Sequence, residues 1–196
     1  MTFDSDKKNC MLKMISMDKS RKKSIDKEII PILNIINNNN NFYTTSSCSG
    51  RIYLLTESKN NKKHEVKWLY VSHIPIKSSE IINVLSKDLP CETIWFRQEG
   101  MILHVACRSI NSANNLLQIA RITGFRRSGI ISDNKRIIVE ICSTEKMDVP
   151  IANKSVLLVN QDFIKFIVKK ANKKFKINQE KMNNFYHKLK YKINNL

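Results

Sequence analysis

Glycine is scarce in this chain. It holds four in 196 residues, at Gly50, Gly100, Gly124 and Gly129, and no two are spaced G-x-G. That excludes the glycine-rich turn by which doubly wound α/β folds bring a phosphate against a helix N-terminus. Cysteines number five, at Cys10, Cys48, Cys91, Cys107 and Cys142, each alone. Without a C-x-x-C pair neither a zinc ribbon nor an iron–sulfur site is indicated, and no metal is expected. The odd cysteine count behind a polar, charged N-terminus fits reduced thiols in a cytoplasmic or nuclear compartment. No apolar run approaches the ~20 residues needed to cross a bilayer, so no membrane role is expected. No G-x-S-x-G elbow is present, which argues against a hydrolase built on Ser47 or Cys48. Acid is scarce too: 17 acidic residues stand against 34 basic ones, for a net charge of +17.

That excess suits a polyanionic partner. Hydrophobic residues make up 42% of the chain, enough for a true core. The length fits one domain, residues 1–196, expected as an α+β core over 18–160 followed by a basic helix over 161–196. A short helix and the loop Asp18–Lys23 open it. Ser24 is placed to cap a helix with Ile25, Ile29, Ile32, Leu33 and Ile36 on one face, which Pro31 should kink or restart. Asp26 lies in its first turn, where a carboxylate favours the helix dipole. Arg51–Thr56 and Val66–Ser72 read as strands joined through Asn60–Lys63. A helix from Ser78 or Ser79 runs toward Pro90. Strands follow at Thr93–Arg97 and Met101–Arg108, with a turn at Gly100. Alternation puts Met101, Leu103, Val105 and Cys107 on one face and Ile102, His104, Ala106 and Arg108 on the other.

Ser109 is a helix cap, and Gly124 closes that helix. Ser128–Ser132 and Arg136–Cys142 form a hairpin, and a short strand is expected at Ser155–Val159. From Gln161 onward, Ile164, Val168, Ala171, Phe175, Asn178, Met182, Phe185 and Leu189 form one helical stripe, interrupted only by Asn178. Ten lysines between Lys165 and Lys192 cover the rest, as a solvated face or an RNA-facing one. Strand, helix, strand, strand is an α+β order, expected here as a mixed β-sheet with flanking helices and a long C-terminal helix.

One stretch stands apart. Thr44-Thr45-Ser46-Ser47-Cys48-Ser49 sets six small polar residues before Gly50 and Arg51. As a loop, its N–H groups could form a concave anion site, with Gly50 allowing a positive φ and Arg51 adding a forked cation. A plain surface loop leading into a strand is the alternative.

TTSSCSGRI resembles the signature of the tRNA wybutosine-synthesising methyltransferase family that acts third in that pathway in eukaryotes, with archaeal relatives. Ser20–Asp26 is similar to the family's S-x-K-G-S-V-D segment, with Lys23 in place of its glycine. Trp68-Leu69-Tyr70-Val71-Ser72-His73 resembles its W-L-x-V-[ST]-H strand. Leu103–Arg108 resembles L-H-V-x-C-R, and Gly124–Ile130 resembles G-F-R-x-S-G-I. Ser143-Thr144 and Val149-Pro150 match a later pair. The likeness runs in one order over roughly residues 3 to 190.

The resemblance implies an S-adenosylmethionine-dependent tRNA methyltransferase of non-Rossmann fold. Its implied substrate is the tricyclic 4-demethylwyosine-type guanosine beside the anticodon of tRNA(Phe), methylated on the ring nitrogen numbered four. The implied partner is therefore the anticodon stem-loop of tRNA(Phe), and the protein is expected to act as a monomer. Thr45, Ser46, Ser47, Ser49, Gly50 and Arg51 are then expected at the methyl donor, and Asp26 at its ribose. His104 or His73 is expected to accept the proton, since histidine titrates near neutrality. Trp68, Arg108, Arg126, Ser128 and Gly129 are expected at the RNA base, with Trp95 and Phe125 as further candidates for stacking. An RNA-binding module without chemistry would share the charge and the aromatics but not the methyl donor.

Overall fold

In chain order the elements are α1 (Phe3–Ser16), a 3-10 turn (Lys27–Ile29), α2 (Ile30–Asn38), β1 (Phe42–Cys48), β2 (Arg51–Thr56), β3 (Trp68–Ser72), α3 (Ser78–Leu85), β4 (Ile94–Glu99), β5 (Ile102–Cys107), α4 (Ile110–Ile122), β6 (Gly129–Ser132), β7 (Ile137–Cys142), β8 (Lys146–Asn153), β9 (Val156–Leu157) and α5 (Gln161–Lys192). They belong to a computed structural model that describes residues 2–16, 25–58 and 66–193. The Ser24 cap, the loop 18–23, most of the Ser20–Asp26 segment and the turn at 60–63 lie outside those residues. Two compact units share the chain: Met1–Ser49, Met101–Thr144 and Gln179–Leu196 make one, and Gly50–Gly100 and Glu145–Asn178 make the other. The class is α+β. Its strands divide between two antiparallel sheets instead of gathering in one mixed sheet.

The first unit carries the sheet β1-β5-β7-β6. One face of it, Leu103, Val105, Cys107, Val139 and Ile141, is buried with Ile32, Leu33 and Ile36 of α2, Leu116 and Ala120 of α4, and Phe185 and Leu189 of α5. Each Val, Leu, Ile or Phe among them, once fully buried, contributes about 1.5–3 kcal/mol before entropy is counted. Pro31 falls in the first turn of α2, where its missing N–H costs nothing, so the helix restarts there after the 3-10 turn. The Ser109 hydroxyl accepts the Ser112 N–H at 3.1 Å as the cap of α4. Gly124 ends that helix at φ +106°, and the Phe125 N–H donates to the Ala120 carbonyl behind it.

The second unit carries β3-β2-β4-β8-β9. Ile52, Leu54, Ile94, Phe96 and Ile151 pack with Ile81 and Leu85 of α3 and with Ile164, Val168, Ala171 and Phe175 of α5. The expected helix up to Pro90 stops at Leu85, capped by Ser86. Strand β8 was not anticipated, because it contains Pro150. The ladder shifts register between Ile94 and Trp95, just where Pro150 pairs. The outer neighbour β9 reaches only Ala152 and Asn153. Pro150 thus sits at a bulge on an effectively open edge, where a strand tolerates proline. Every position of the stripe on α5 is buried, including Asn178. No described helix is long and apolar enough to cross a membrane.

Candidate active site

The hydroxyl stretch is a strand, not a loop. Phe42–Cys48 is the edge strand of the first sheet, and only Ser49 and Gly50 separate it from β2. An extended strand sends its N–H groups alternately to its two edges, so they cannot converge on one anion. Its hydroxyls diverge as well. Thr44 is buried, and its N–H donates to the Asn37 side-chain oxygen at 2.8 Å. Thr45 lies in a bulge between Thr44 and Ser46 and is exposed. Ser46 pairs with His104, whereas Ser47 pairs with Leu103 and takes the core-side face. Ser49 is buried, and both its N–H (2.9 Å) and its hydroxyl (3.1 Å) donate to one Asp26 carboxylate oxygen. Asp26 therefore braces the end of the hydroxyl strand. Its side chain makes no cap hydrogen bond to the helical turn behind it.

On the face of this sheet opposite the core, strand register aligns Ser46, His104, Glu140 and Gly129 in one row across four strands. The Glu140 carboxylate lies 2.9 Å from His104 Nε2, and Ser46 Oγ lies 3.0 Å from His104 Nδ1. A carboxylate can only accept, so Nε2 carries the proton and Nδ1 is left as the acceptor, taking the Ser46 hydroxyl proton. The two ends of the ion pair are about a third exposed, at 29% and 30%. Beyond Glu140, a Cβ added to Gly129 would meet no atom within 4 Å. The row therefore ends in open space.

Glu140 was not singled out from the sequence. It is the one charged residue of β7, and its register with His104 depends on a strand pairing between segments more than thirty residues apart. The signal that could have found it is an acid alone in the apolar run Ile137–Cys142. Its neighbour Cys142 shares this face by alternation. Burial, and after it the Glu140 charge, pushes the Cys142 thiol up, which keeps it protonated and a poor nucleophile.

Of the other first-unit residues expected at the site, Arg108 and Ser128 make contacts within the fold. Arg108 pairs with Asp4, donates to the Asn40 carbonyl at 3.0 Å and stacks over Phe3 at 4.4 Å, tying α1 down. The Ser128 hydroxyl is buried, donates to the Phe125 carbonyl at 2.8 Å and accepts the Cys142 N–H. Phe125 is core. Arg126 is exposed.

Gly50, Arg51, Trp68 and His73 belong to the second unit. Gly50 does adopt a positive φ, at +110°. Arg51 already has a carboxylate partner within its own unit. Its Nε and Nη2 both reach Glu99 Oε2, at 3.2 and 3.1 Å, and its plane lies 4.9 Å from Tyr53 and 4.8 Å from Trp68. Burial, helped by the nearby Glu99 charge, pushes the Tyr53 hydroxyl up to about 12. His73 Nδ1 lies 3.1 Å from the Gly50 carbonyl and so carries its proton there.

A histidine between a carboxylate and a hydroxyl has the chemistry to take up a proton at Nδ1. Ser46 lacks the sharp turn and the convergent N–H groups that make a serine a nucleophile. The class defined by the two antiparallel sheets and their flanking helices is an α+β fold outside the Rossmann class. The chain belongs to the family described as methyltransferase TYW3, whose pattern matches residues 5–191. The tRNA(Phe) 7-((3-amino-3-carboxypropyl)-4-demethylwyosine(37)-N(4))-methyltransferase of Thermococcus sibiricus is 34% identical over 181 residues, covering 92% of this chain and 90% of its own. The tRNA wybutosine-synthesizing protein 2/3/4 of Arabidopsis thaliana is 39% identical in an alignment of 186 residues that covers 86% of this chain but 19% of that much longer protein. Among solved structures, protein PH1069 of Pyrococcus horikoshii superposes with a TM-score of 0.87 at 33% identity, covering 96% of both chains.

Proposed function

We propose that this chain methylates the ring nitrogen at position four of the tricyclic 4-demethylwyosine-type guanosine beside the anticodon of tRNA(Phe), with S-adenosylmethionine as donor and residues 1–196 as one methyltransferase domain. Membership of the methyltransferase family, together with the likeness to the Thermococcus enzyme over nine-tenths of both chains, supports the reaction. The observation that carries the site is the Ser46–His104–Glu140 row.

Bound S-adenosylmethionine supplies an electrophilic methyl group on a sulfonium. The residues of this chain that fit its polar portion are the exposed hydroxyls of Thr45 and Ser46, which stand beside the histidine. Arg51, being held by Glu99, acts as a strut. Asp26 holds Ser49 and through it the end of β1. His104 Nδ1 is the acceptor for the proton that the substrate ring loses as its nitrogen is alkylated. Glu140 stabilises the imidazolium that results, and Ser46 keeps Nδ1 pointed outward until substrate displaces its hydroxyl. The open space at Gly129 receives part of the base. The anticodon loop can present that base unstacked, so no duplex need open. The protein is proposed to work as a monomer in the cytoplasm.

The test is transfer of labelled methyl from S-adenosylmethionine to tRNA(Phe) bearing the demethylated tricyclic base, with the product nucleoside identified by mass spectrometry. Methyl should appear on that base alone. No transfer, with donor and tRNA both shown to bind, would refute the proposal.

A further inference from the structure

We infer that the outward face of α5 between Phe163 and Lys173 is a stacking and phosphate-binding surface for unpaired RNA, apart from the site of methyl transfer. The inference rests on the RNA substrate proposed above and adds where the RNA is gripped. Most of the outward positions of this helix are polar, as a solvated helix requires. Phe163 and Phe166 break that rule, with 39% and 54% of their surface exposed. They are three residues apart and so neighbours on one face, while Ile164, Ile167 and Val168 supply the core contacts of the same turns. Burial of the helix therefore does not account for the two rings.

Charge identifies the occupant. Lys170 Nζ lies 5.1 Å from the Phe166 ring centre. Lys169 and Lys173 stand three and seven residues beyond Phe166, and neither pairs with a carboxylate among the described residues. Lys165, by contrast, is answered by Asp162 at 2.9 Å and Lys174 by Glu145 at 3.4 Å. The face thus offers two bare rings and several ammonium groups, in a chain of net charge +17. Aromatic planes between cations are the chemistry of single-stranded nucleic acid: the rings take bases, and the ammonium groups take the phosphates between them. An acidic helix docking here would want a continuous apolar groove, and lysines interrupt this one.

The two contributions separate by salt. Stacking releases no counterions, so losing a ring lowers affinity without altering the dependence of log affinity on log salt. Losing a lysine that touches phosphate reduces that slope by about 0.7 to 0.9. The experiment is a fluorescence titration of a labelled tRNA(Phe) anticodon stem-loop at several salt concentrations, without methyl donor. It compares wild type with Phe166→Ala, Phe166→Tyr and the double variant Lys169→Ala/Lys173→Ala, each first shown to melt like wild type. Phe166→Ala should weaken binding by about tenfold at an unchanged slope, and Phe166→Tyr should restore it. The double lysine variant should flatten the slope. In turnover, Phe166→Ala should raise KM for tRNA and leave kcat alone. Unchanged RNA affinity and slope in every variant would overturn the inference, and that is also the outcome if the face docks an acidic protein. The binding assay involves no methyl transfer. A protein that binds through Phe166 but methylates nothing would therefore refute the proposed function and leave this surface standing.

Discussion

Glu140 and His104 face each other from neighbouring antiparallel strands, and the 2.9 Å contact between the carboxylate and Nε2 fixes which ring nitrogen is left to work. The pair is a third exposed, so its value lies less in stability than in tautomer and charge. Glu140→Gln keeps an acceptor of the same size but removes the negative charge. Turnover should fall about 10- to 100-fold. Unchanged turnover in Glu140→Gln would make Glu140 a bystander.

Gly129 offers a cleaner probe of the same face. Its φ lies outside the left-handed region, and an added Cβ would touch nothing. Gly129→Ala should therefore fold with unchanged stability. Placed beside Glu140 in the row, the methyl group should crowd the substrate base and raise KM for tRNA several-fold. Equal KM values in steady-state assays would remove Gly129 from the site.

Gly50 should behave in the opposite way. Its φ is +110°, and a Cβ there would stand 2.8 Å from the Glu99 carbonyl oxygen and 3.1 Å from the Asn178 amide nitrogen. The closer of the two is a backbone atom of the neighbouring strand, which cannot swing aside. Gly50→Ala should cost about 3 kcal/mol or more in urea unfolding. A variant as stable as wild type would show that the turn relaxes.

Cys107 gives a pH test of the first core. Burial pushes its thiol from 9.0 up to about 12. The folded value lies above the unfolded one, so the contribution is full below about pH 9 and is lost as pH rises toward about 12. Cys107→Ala should cost about 1 kcal/mol at pH 7 through lost packing. Its urea midpoint should then fall less steeply than that of wild type between pH 9 and 12. Parallel curves would contradict the burial effect. Iodoacetamide should modify the exposed Cys91 well before Cys107.

Local rules made much of this fold legible. The span Arg51–Thr56, the Ser109 cap, the positive φ of Gly124, the inward face of Cys107 and the stripe on α5 each follow from a few adjacent residues. What escaped depends on distant partners. A run of serine and threonine has no hydrophobic alternation to betray an edge strand, so β1 looked like a loop. The short turn at Gly100 between two strands was legible, but that β4 and β5 leave it for different sheets was not. Arg51 and Arg108 looked like free cations because Glu99 and Asp4 are 48 and 104 residues away in the chain. His104 was found through alternation and resemblance. Its partner needed the register of β7.

The most direct measurement is single-turnover methylation of undermodified tRNA(Phe), with donor and tRNA saturating, for wild type and His104→Ala. The variant should be slower by about 10² to 10⁴ at neutral pH and should bind S-adenosylmethionine within a few-fold of wild type. Wild-type rates in His104→Ala would contradict the account and make His73 the residue to test next.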